Sequence, residues 1–425
     1  MKKIIEGYKK TLAGEIPEEW GYEELNKLVD KITDGTHKTP TYTESGIPFL
    51  RVTDIQKSEI DWNNVKYISQ EEHLELIKRC NPEIGDILYS KNGTIGIPKI
   101  IDWDNEFSIF VSLCLIKMKK QESYISNKYL EQFLKSDSCM RQIRLRAKQG
   151  TVTNLHLEEI RELIIPIPTI KEQEKIASIL STVDEQIDNV DILIEKNKEL
   201  KKGLMQTLLT KGIGHTKFKK TEIGEIPEEW EVVKFKEITD ILRCGVASTP
   251  TYVENGIPFL SAQNVNNEKL SLHKYNFISE DYHKQLTKND KPQKGDILYS
   301  RVGANYGIAA VVDIDFEFSV YVSLTLIRMK SEYDSRFYKY LLNSTIIRKQ
   351  ADIGVFQGGG VPNLNVKVVE KFNVVVPSKY EQTRIATILS EVDEKIEEYE
   401  NKKQKLEELK KGLMQQLLSG NIRVS

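Results

Sequence analysis

The stretch TPTYTESGIPFL at residues 39–50 returns as TPTYVENGIPFL at 249–260, with ten of twelve letters unchanged. Internal repetition decides the architecture before any single element does, and here it extends in both directions. EIPEEW stands at 15–20 and 225–230, and GDILYS at 85–90 and 295–300. FSIFVSLCLIKMK at 107–119 answers FSVYVSLTLIRMK at 318–330. TNLHLEEI at 153–160 answers PNLNVKVV at 362–369, and EQEKIASILSTVDEQI at 172–187 answers EQTRIATILSEVDEKI at 381–396. LKKGLMQTLL at 200–209 answers LKKGLMQQLL at 409–418. The order is the same in both copies, so the chain is a tandem duplication.

Each copy has two kinds of segment. The first, roughly 150 residues, is made of short β-type runs (IPFL, DILYS, FSIFVSLCLI, ELIIPIP) broken by Gly, Asn and Pro, a small mixed sheet with one or two helices. The second opens on a capping box, Thr169-x-x-Glu172 or Ser378-x-x-Glu381, just after a proline. Apolar residues then step by four and three: Ile176, Leu180, Val183, Ile187, Val190 and Ile194 in one copy, Ile385, Leu389, Val392, Ile396 and Tyr399 in the other. That seam predicts a coiled coil, with Asn197 and Lys403 as polar intrusions that fix register. Glu172 to Leu209 makes a helix roughly 57 Å long. Charges beside the seam, such as Glu199 and Lys201, read as solvated. Chain order favours antiparallel pairing, a domain at each end and an approximate twofold axis; two helices packed separately on their own domains are the alternative.

The predicted class is therefore α+β, with two similar mixed domains in tandem and two long spacer helices. The divisions fall at 1–168 (first domain), 169–212 (central helix), 213–377 (second domain) and 378–425 (distal helix). At 425 residues the chain exceeds one ordinary core, and 39% hydrophobic with 29% charged residues indicates a globular protein. MKKIIEGYKK lacks the apolar stretch of a secretory signal, and the longest strongly apolar run, FSIFVSLCLI, is about half what a bilayer needs. Cys80, Cys114, Cys139 and Cys244 have no metal-ligand spacing and fit a reduced cytoplasm.

Catalytic motifs are missing. Asn81-Pro82-Glu83 lacks the second proline and aromatic residue of an amino-methyltransferase motif, no phosphate loop occurs, and Gly358-Gly359-Gly360 has no following lysine. His73 and His283 occupy matching places without a second metal ligand, which favours packing. Asp86 and Asp296 read as turn residues entering a strand.

Two similar domains on a rigid spacer suit the reading of two sites on one long ligand, and DNA is the candidate. A net charge of −2 hides local clusters. Segments 135–148 (with Arg144, Arg146, Lys148) and 336–349 (with Arg348, Lys349) are basic, and each precedes a glycine loop carrying Gln149 or Gln357, fit to track phosphates. Beside repeated scaffold letters the polar letters change. Gly35-Thr36-His37-Lys38 becomes Gly245-Val246-Ala247-Ser248, next to Arg243. Arg51-Val52-Thr53-Asp54 becomes Ser261-Ala262-Gln263-Asn264. Lys91, Asn92 and Thr94 give way to Arg301, Asn305 and Tyr306, while Tyr42 and Tyr252 stay. One fold with different hydrogen-bonding groups is what readers of different base sequences need; drift of surface loops gives the same pattern.

The repeated Asn-Leu, strand, proline and Glu-Gln-x-x-Ile-Ala-x-Ile-Leu-Ser-x-Val-Asp-Glu-x-Ile block, with Gly-Glu-Ile-Pro-Glu-Glu-Trp and Leu-Lys-Lys-Gly-Leu-Met-Gln, resembles the specificity subunit of type I restriction-modification systems over nearly the whole chain. Pro168-Thr169 and Pro377-Ser378 replace the double proline often found before the helix. The resemblance implies a non-catalytic subunit that binds double-stranded DNA, two domains reading the halves of a bipartite site, and helices that set the gap and dock two modification subunits. S-adenosylmethionine would lie on those subunits, and ATP and Mg on restriction subunits, with no metal on this chain. A methyltransferase or nuclease with an unrecognised site, and a scaffold joining protein-binding domains without DNA, remain open alternatives.

Overall fold

The computed structural model describes residues 6–57, 59–121, 123–146, 154–303, 305–355 and 362–424. The chain forms two compact units, 1–192 with 400–425 and 193–399. Each unit therefore takes one globular domain together with parts of both long helices, which run Ile170–Lys211 and Lys379–Leu417.

The two domains have the same internal topology. In the first, a four-stranded antiparallel sheet has the order Lys31–Asp34, Leu113–Lys117, Ile87–Ser90, Pro98–Ile100. A smaller sheet places Ile47–Leu50 between Lys66–Ile68 and a parallel partner, Ser108–Ile109. The second domain repeats this with Thr239–Cys244, Leu324–Met329, Ile297–Ser300 and Ala309–Val311, and with Ile257–Leu260 between Asn276–Ile278 and Ser319–Val320. The strand Ile87–Ser90 is buried along its length, and Ile47–Leu50 is half-buried at Ile47 and Pro48 and buried at Phe49 and Leu50. This is why they read as continuous apolar runs rather than as alternating ones. The second domain adds a hairpin, Val265–Asn266 with Lys269–Leu270, turned by Asn267 and Glu268 at positive φ.

Gly85 and Gly295, both at φ +91°, make the turn into the GDILYS strand, a conformation that a Cβ disfavours. Asp86 is buried and accepts the Glu83 and Met118 N–H groups, and Asp296 is gripped by Arg328. Both are turn residues, as read from sequence. His73 and His283 are buried against Ser108 and Ser319, Nδ1 to Oγ 2.9 Å in each, which is a packing role.

Both long helices start where expected, but each capping box is only half made. The Thr169 and Ser378 hydroxyls accept the N–H groups of Glu172 and Glu381, while the two carboxylates turn away from the cap. Glu172 accepts the indole N–H of buried Trp20 at 3.1 Å and both Nε and Nη2 of Arg423, at 2.7 and 2.9 Å. Glu381 accepts the Trp230 indole at 2.9 Å and the Ile213 N–H at 2.8 Å, and pairs with His215 Nε2. Thus the Trp of EIPEEW and the Glu opening each helix form one buried knot, which also holds the segment leaving the other helix. Gln173 and Gln382 extend it, taking the Ser126 and Asp334 N–H groups.

Within the first unit Lys403 bonds Asp191 at 2.7 Å, Lys410 pairs with Asp184, and Leu413 and Leu417 pack on the core that holds Ile176 and Leu180. One helix descends as the other ascends, so the pairing is antiparallel. The second unit repeats it, with Lys201 on Asp393 at 2.7 Å and with Leu208 and Leu209 against Ile385, Ala386 and Leu389. The alternative of separately packed helices is thereby excluded. Ile176, Leu180, Val183, Val190, Ile385 and Leu389 are buried, whereas Ile187, Val392, Ile396 and Tyr399 are half-buried. Asn197 bonds its own helix, through the Leu193 carbonyl, so of the two expected polar intrusions only Lys403 bonds the opposite helix.

Lys201 corrects the sequence reading, because its side chain is 15% exposed and bound to Asp393 and Glu268 rather than solvated. Asp184 and Asp393 are equivalent anchors. Asp184 takes Lys410 and, at 2.9 Å, Gln132; Asp393 takes Lys201, Lys339 and, at 2.6 Å, the Tyr340 hydroxyl. Burial alone raises both acids, but for Asp184 the neighbouring Lys135, Lys410 and Gln132, and for Asp393 Lys339, Lys201 and Tyr340, hold each below the ordinary carboxylate value. A depressed folded pKa gives stability that is present above the unfolded value, about 3.9, and lost as pH falls through the folded one. Asp184→Ala or Asp393→Ala should each cost about 2–3 kcal/mol, between exposed and buried pairs. The check is denaturation, in which the midpoint falls and the loss of stability on acidification below about pH 4 becomes shallower than in the parent chain.

Candidate nucleic-acid interface

One serine organises the loops at the end of each four-stranded sheet. Ser112 accepts the Lys91 N–H at its carbonyl, 2.9 Å, and the Val52 N–H at its hydroxyl, 3.2 Å. Phe110 donates to the Leu50 carbonyl, Thr36 to that of Ile109, and Leu155 to that of Lys91. The changing tetrapeptides at 35–38, 51–54 and 91–94 therefore converge, together with residue 154. Ser323 does the same for Arg301 and Ala262, at 3.0 and 2.9 Å, with Val246 on Val320, Tyr321 on Leu260 and Leu364 on Arg301.

The backbones pass so closely here that glycine is required. A Cβ on Gly35 would lie 2.0 Å from the Ile109 carbonyl oxygen, and one on Gly245 2.1 Å from that of Val320. Carbon and oxygen cannot approach to that distance, so the chain has Gly where the neighbouring letters are free to vary.

On the rim of the first hub His37, Lys38, Tyr42, Thr53 and Thr94 are exposed, with Thr36 and Arg51 half-buried. The second rim exposes Ser248, Tyr252, Gln263 and Asn305, with Ser261 half-buried. Tyr42 leans edge-on, and Tyr252 at a tilt, against the phenylalanine of IPFL, centroids 6.0 and 6.3 Å apart. The rims thus differ in chemistry: imidazole, ammonium and guanidinium on the first, neutral hydroxyl and amide groups on the second.

Other residues proposed from sequence are turned into the scaffold. Lys91 is buried against Asp34, which also takes Arg79 and, at 3.0 Å, His37. Arg301 is buried and donates to the Leu364 and Val322 carbonyls and to Asn363. Asn264, 1% exposed, accepts the Ser261 N–H and donates to the Ser271 and Lys274 carbonyls. Tyr306 is buried with its hydroxyl on Asp352, which is the main reason that its phenol is held above the ordinary value. Arg243 is half-buried on the Asp290 carbonyl, and the Asn92 backbone pairs with that of Asn154. The heads of Lys91, Arg301, Asn264 and Tyr306 have found internal partners, because a buried polar group without one costs more than a solvated one, whereas the Asn92 side-chain oxygen is buried without one among the described residues.

The basic segments also divide. The first starts just after the helix Asn127–Leu134 and runs into Asp137–Arg146, and the second spans Ser335–Leu342 and Thr345–Gly354, with Ser136 or Ser344 before each later helix. Lys135 is drawn to Glu131 and Asp184, Arg146 to the Glu162 carbonyl, Lys339 to Asp393 and Arg336 to Asp334. Arg144 and Lys349 are exposed; Arg348 pairs with Asp352 at 2.8 Å and lies over the Tyr306 ring. Lys148, Gln149 and Gln357 lie outside the described residues. The positive strip is accordingly thinner than a count of letters implies.

Among the described residues no group of three His, Cys, Asp or Glu side chains could hold a metal ion, and no helix is long and apolar enough to cross a membrane. Burial pushes the Cys80 and Cys139 thiols up to about 12 and raises Cys114 as well, so these thiols are not poised as nucleophiles. The hub serines went unremarked in the sequence; the available signal was that Ser112 and Ser323 keep their letter in both copies of the FSxxVSLxLI stretch.

Known proteins repeat this arrangement. The family model described as the type I restriction modification DNA specificity domain matches residues 17–202 and again 227–408. A putative type I restriction enzyme MjaX specificity subunit of Methanocaldococcus jannaschii is 32% identical over 99% of this chain and 97% of its own. The MjaVIII specificity subunit of the same organism is 29% identical over 99% and 96%. In fold, the chain is similar to the crystal structure of the S subunit of a type I restriction-modification system from M. genitalium, with a TM-score of 0.58, 19% identity, and 94% and 96% of the two chains covered. The duplicated domains, the paired helices and these matches place the chain in the family of type I restriction-modification specificity subunits, which supply recognition rather than catalysis.

Proposed function

We propose that each globular domain reads one half of an asymmetric, bipartite site in double-stranded DNA, and that the two long helices set the unread gap between the halves. The observation that carries this reading is the pairing of one scaffold with two chemistries. The hubs built on Ser112 and Ser323 use the same backbone bonds, yet one rim carries His37, Lys38 and Arg51 where the other carries Ala247, Ser248 and Ser261. Base readout needs donors and acceptors exchanged on a fixed frame, and the two hubs supply that frame.

On this reading the exposed cations Lys38, Arg144 and Lys349 meet phosphates, and Tyr42, Thr53, Thr94, Tyr252, Gln263 and Asn305 face the grooves. Two modification subunits would dock on the repeated helical surfaces, bringing S-adenosylmethionine, and restriction subunits would bring ATP and Mg. The enzyme alternative loses its support in the buried, internally paired His and Asp residues.

Three outcomes are expected. Exchanging residues 1–168 for the corresponding domain of a relative changes one half of the methylated motif and leaves the other; a change in both halves would sink the division of labour. Removing seven residues from each long helix, about 10 Å of rise, shortens the unread gap by about three base pairs with both halves retained, and an unchanged gap would refute the ruler. Lys38→Ala weakens binding by the assembled complex about equally for all sequences and reduces the salt slope by about one, measured by titration across salt concentrations.

A further inference from the structure

We propose that Arg51 reads a guanine in the half-site of the first domain, through the edge of its guanidinium that Asp54 leaves free, and that Asp54 is its positioning residue. The proposal rests on the reading of DNA bases by this domain given above. Arg51 follows the strand Ile47–Leu50 on the rim of the Ser112 hub, and its side chain is 31% exposed. Its Nε donates to Asp54 Oδ2 and its Nη2 to Asp54 Oδ1, both at 3.1 Å. Two parallel bonds fix the plane of the guanidinium as well as its place. Nη1 has no hydrogen bond among the described residues.

Asp54 is itself held. It ends the 3₁₀ turn Val52–Asp54 and accepts the Arg51 N–H at 2.7 Å, while Val52 is tied to the Ser112 hydroxyl. The second domain separates the two tasks of this carboxylate. Asn264 accepts the Ser261 N–H in the same turn, but the residue across from it is serine, and its amide group faces inward. Closing the turn therefore needs an acceptor only; the arginine fork is an addition peculiar to the first domain.

The chemistry of the free edge selects the ligand. A guanidinium end presents two parallel N–H donors, matching O6 and N7 of guanine in the major groove; adenine offers a donor where guanine has O6, and pyrimidines lack the pair. A phosphate could take the same donors, but the Asp54 carboxylate largely neutralises the charge that would attract it, while leaving the outer N–H groups in place. A paired and oriented arginine is thus better suited to a base edge than to the backbone.

The test is an adenine-methylation map, by native long-read sequencing, of cells carrying the complete system with the parent chain, Arg51→Ala, Arg51→Lys or Asp54→Asn. The parent motif is expected to contain an invariant guanine in the half assigned to the first domain. With Arg51→Ala, discrimination at that one position should fall about ten- to hundredfold; Arg51→Lys, a flexible point charge without the planar fork, should relax the same position by less, and Asp54→Asn should relax it in part, the other half being unchanged. An unaltered motif in Arg51→Ala overturns the proposal. So does full discrimination in Arg51→Lys with uniformly weaker modification in Arg51→Ala, the mark of a phosphate contact. If Arg51→Ala abolishes all modification, Arg51→Lys decides, since it keeps bulk and charge: one relaxed position supports the assignment and an unrelaxed motif overturns it. Absence of any bipartite motif with the parent chain would remove the proposed function itself, whereas a bipartite motif indifferent to Arg51 removes this inference alone.

Discussion

Each unit is closed by a carboxylate at the start of a long helix, and the rest of the unit depends on how that charge is satisfied. Glu172 is 4% exposed and Glu381 9%, positions where an unpaired carboxylate would be strongly destabilising. Each is met by a tryptophan indole from the start of its own domain and by the segment that follows the opposite helix: Arg423 in one unit, Ile213 and His215 in the other. The bond between Glu172 and Arg423 spans 251 positions of sequence. A chain whose second helix ended elsewhere would leave Glu172 with the Trp20 indole but without Arg423, so the stability of the first unit is tied to the pairing of the helices.

The same economy of construction governs the second helix contact and the loops. Asp184 and Asp393 bind a lysine from the partner helix and a side chain from the adjacent domain, Gln132 in one unit and Tyr340 in the other. The domain is thereby keyed to both helices through one acid. At the far end of the sheet, Ser112 and Ser323 collect the loops by backbone bonds alone, apart from the single hydroxyl contact to Val52 or Ala262. Because the hub bonds do not use the exposed rim side chains, those side chains are free to differ, while Asp54 and Asn264 close the same turn in each domain.

Much of this was legible in the sequence. The repeat, the apolar seam through Ile176, Leu180, Ile385 and Leu389, the starts of both helices and the turns at Gly85 and Gly295 follow from local spacing and backbone preference, which a linear string records. The destinations of long polar side chains do not. Lys91 and Arg301 looked like exposed cations beside glycine loops and are buried. Lys201 looked solvated and is clamped by Asp393 and Glu268. Glu172 and Glu381 looked like cap residues and are held by tryptophans more than 150 positions away. In each case the deciding partner is brought close only by tertiary packing, and burial then forces the polar head toward it.

On the function proposed above, this chain sets a two-part DNA specificity that other subunits execute. The most direct measurement compares modified-base maps of cells carrying the complete, expressed system with this gene intact and deleted. One bipartite motif with methylated adenines on either side of an unread gap is expected with the gene and not without it. Identical maps from the two strains would contradict the proposed function.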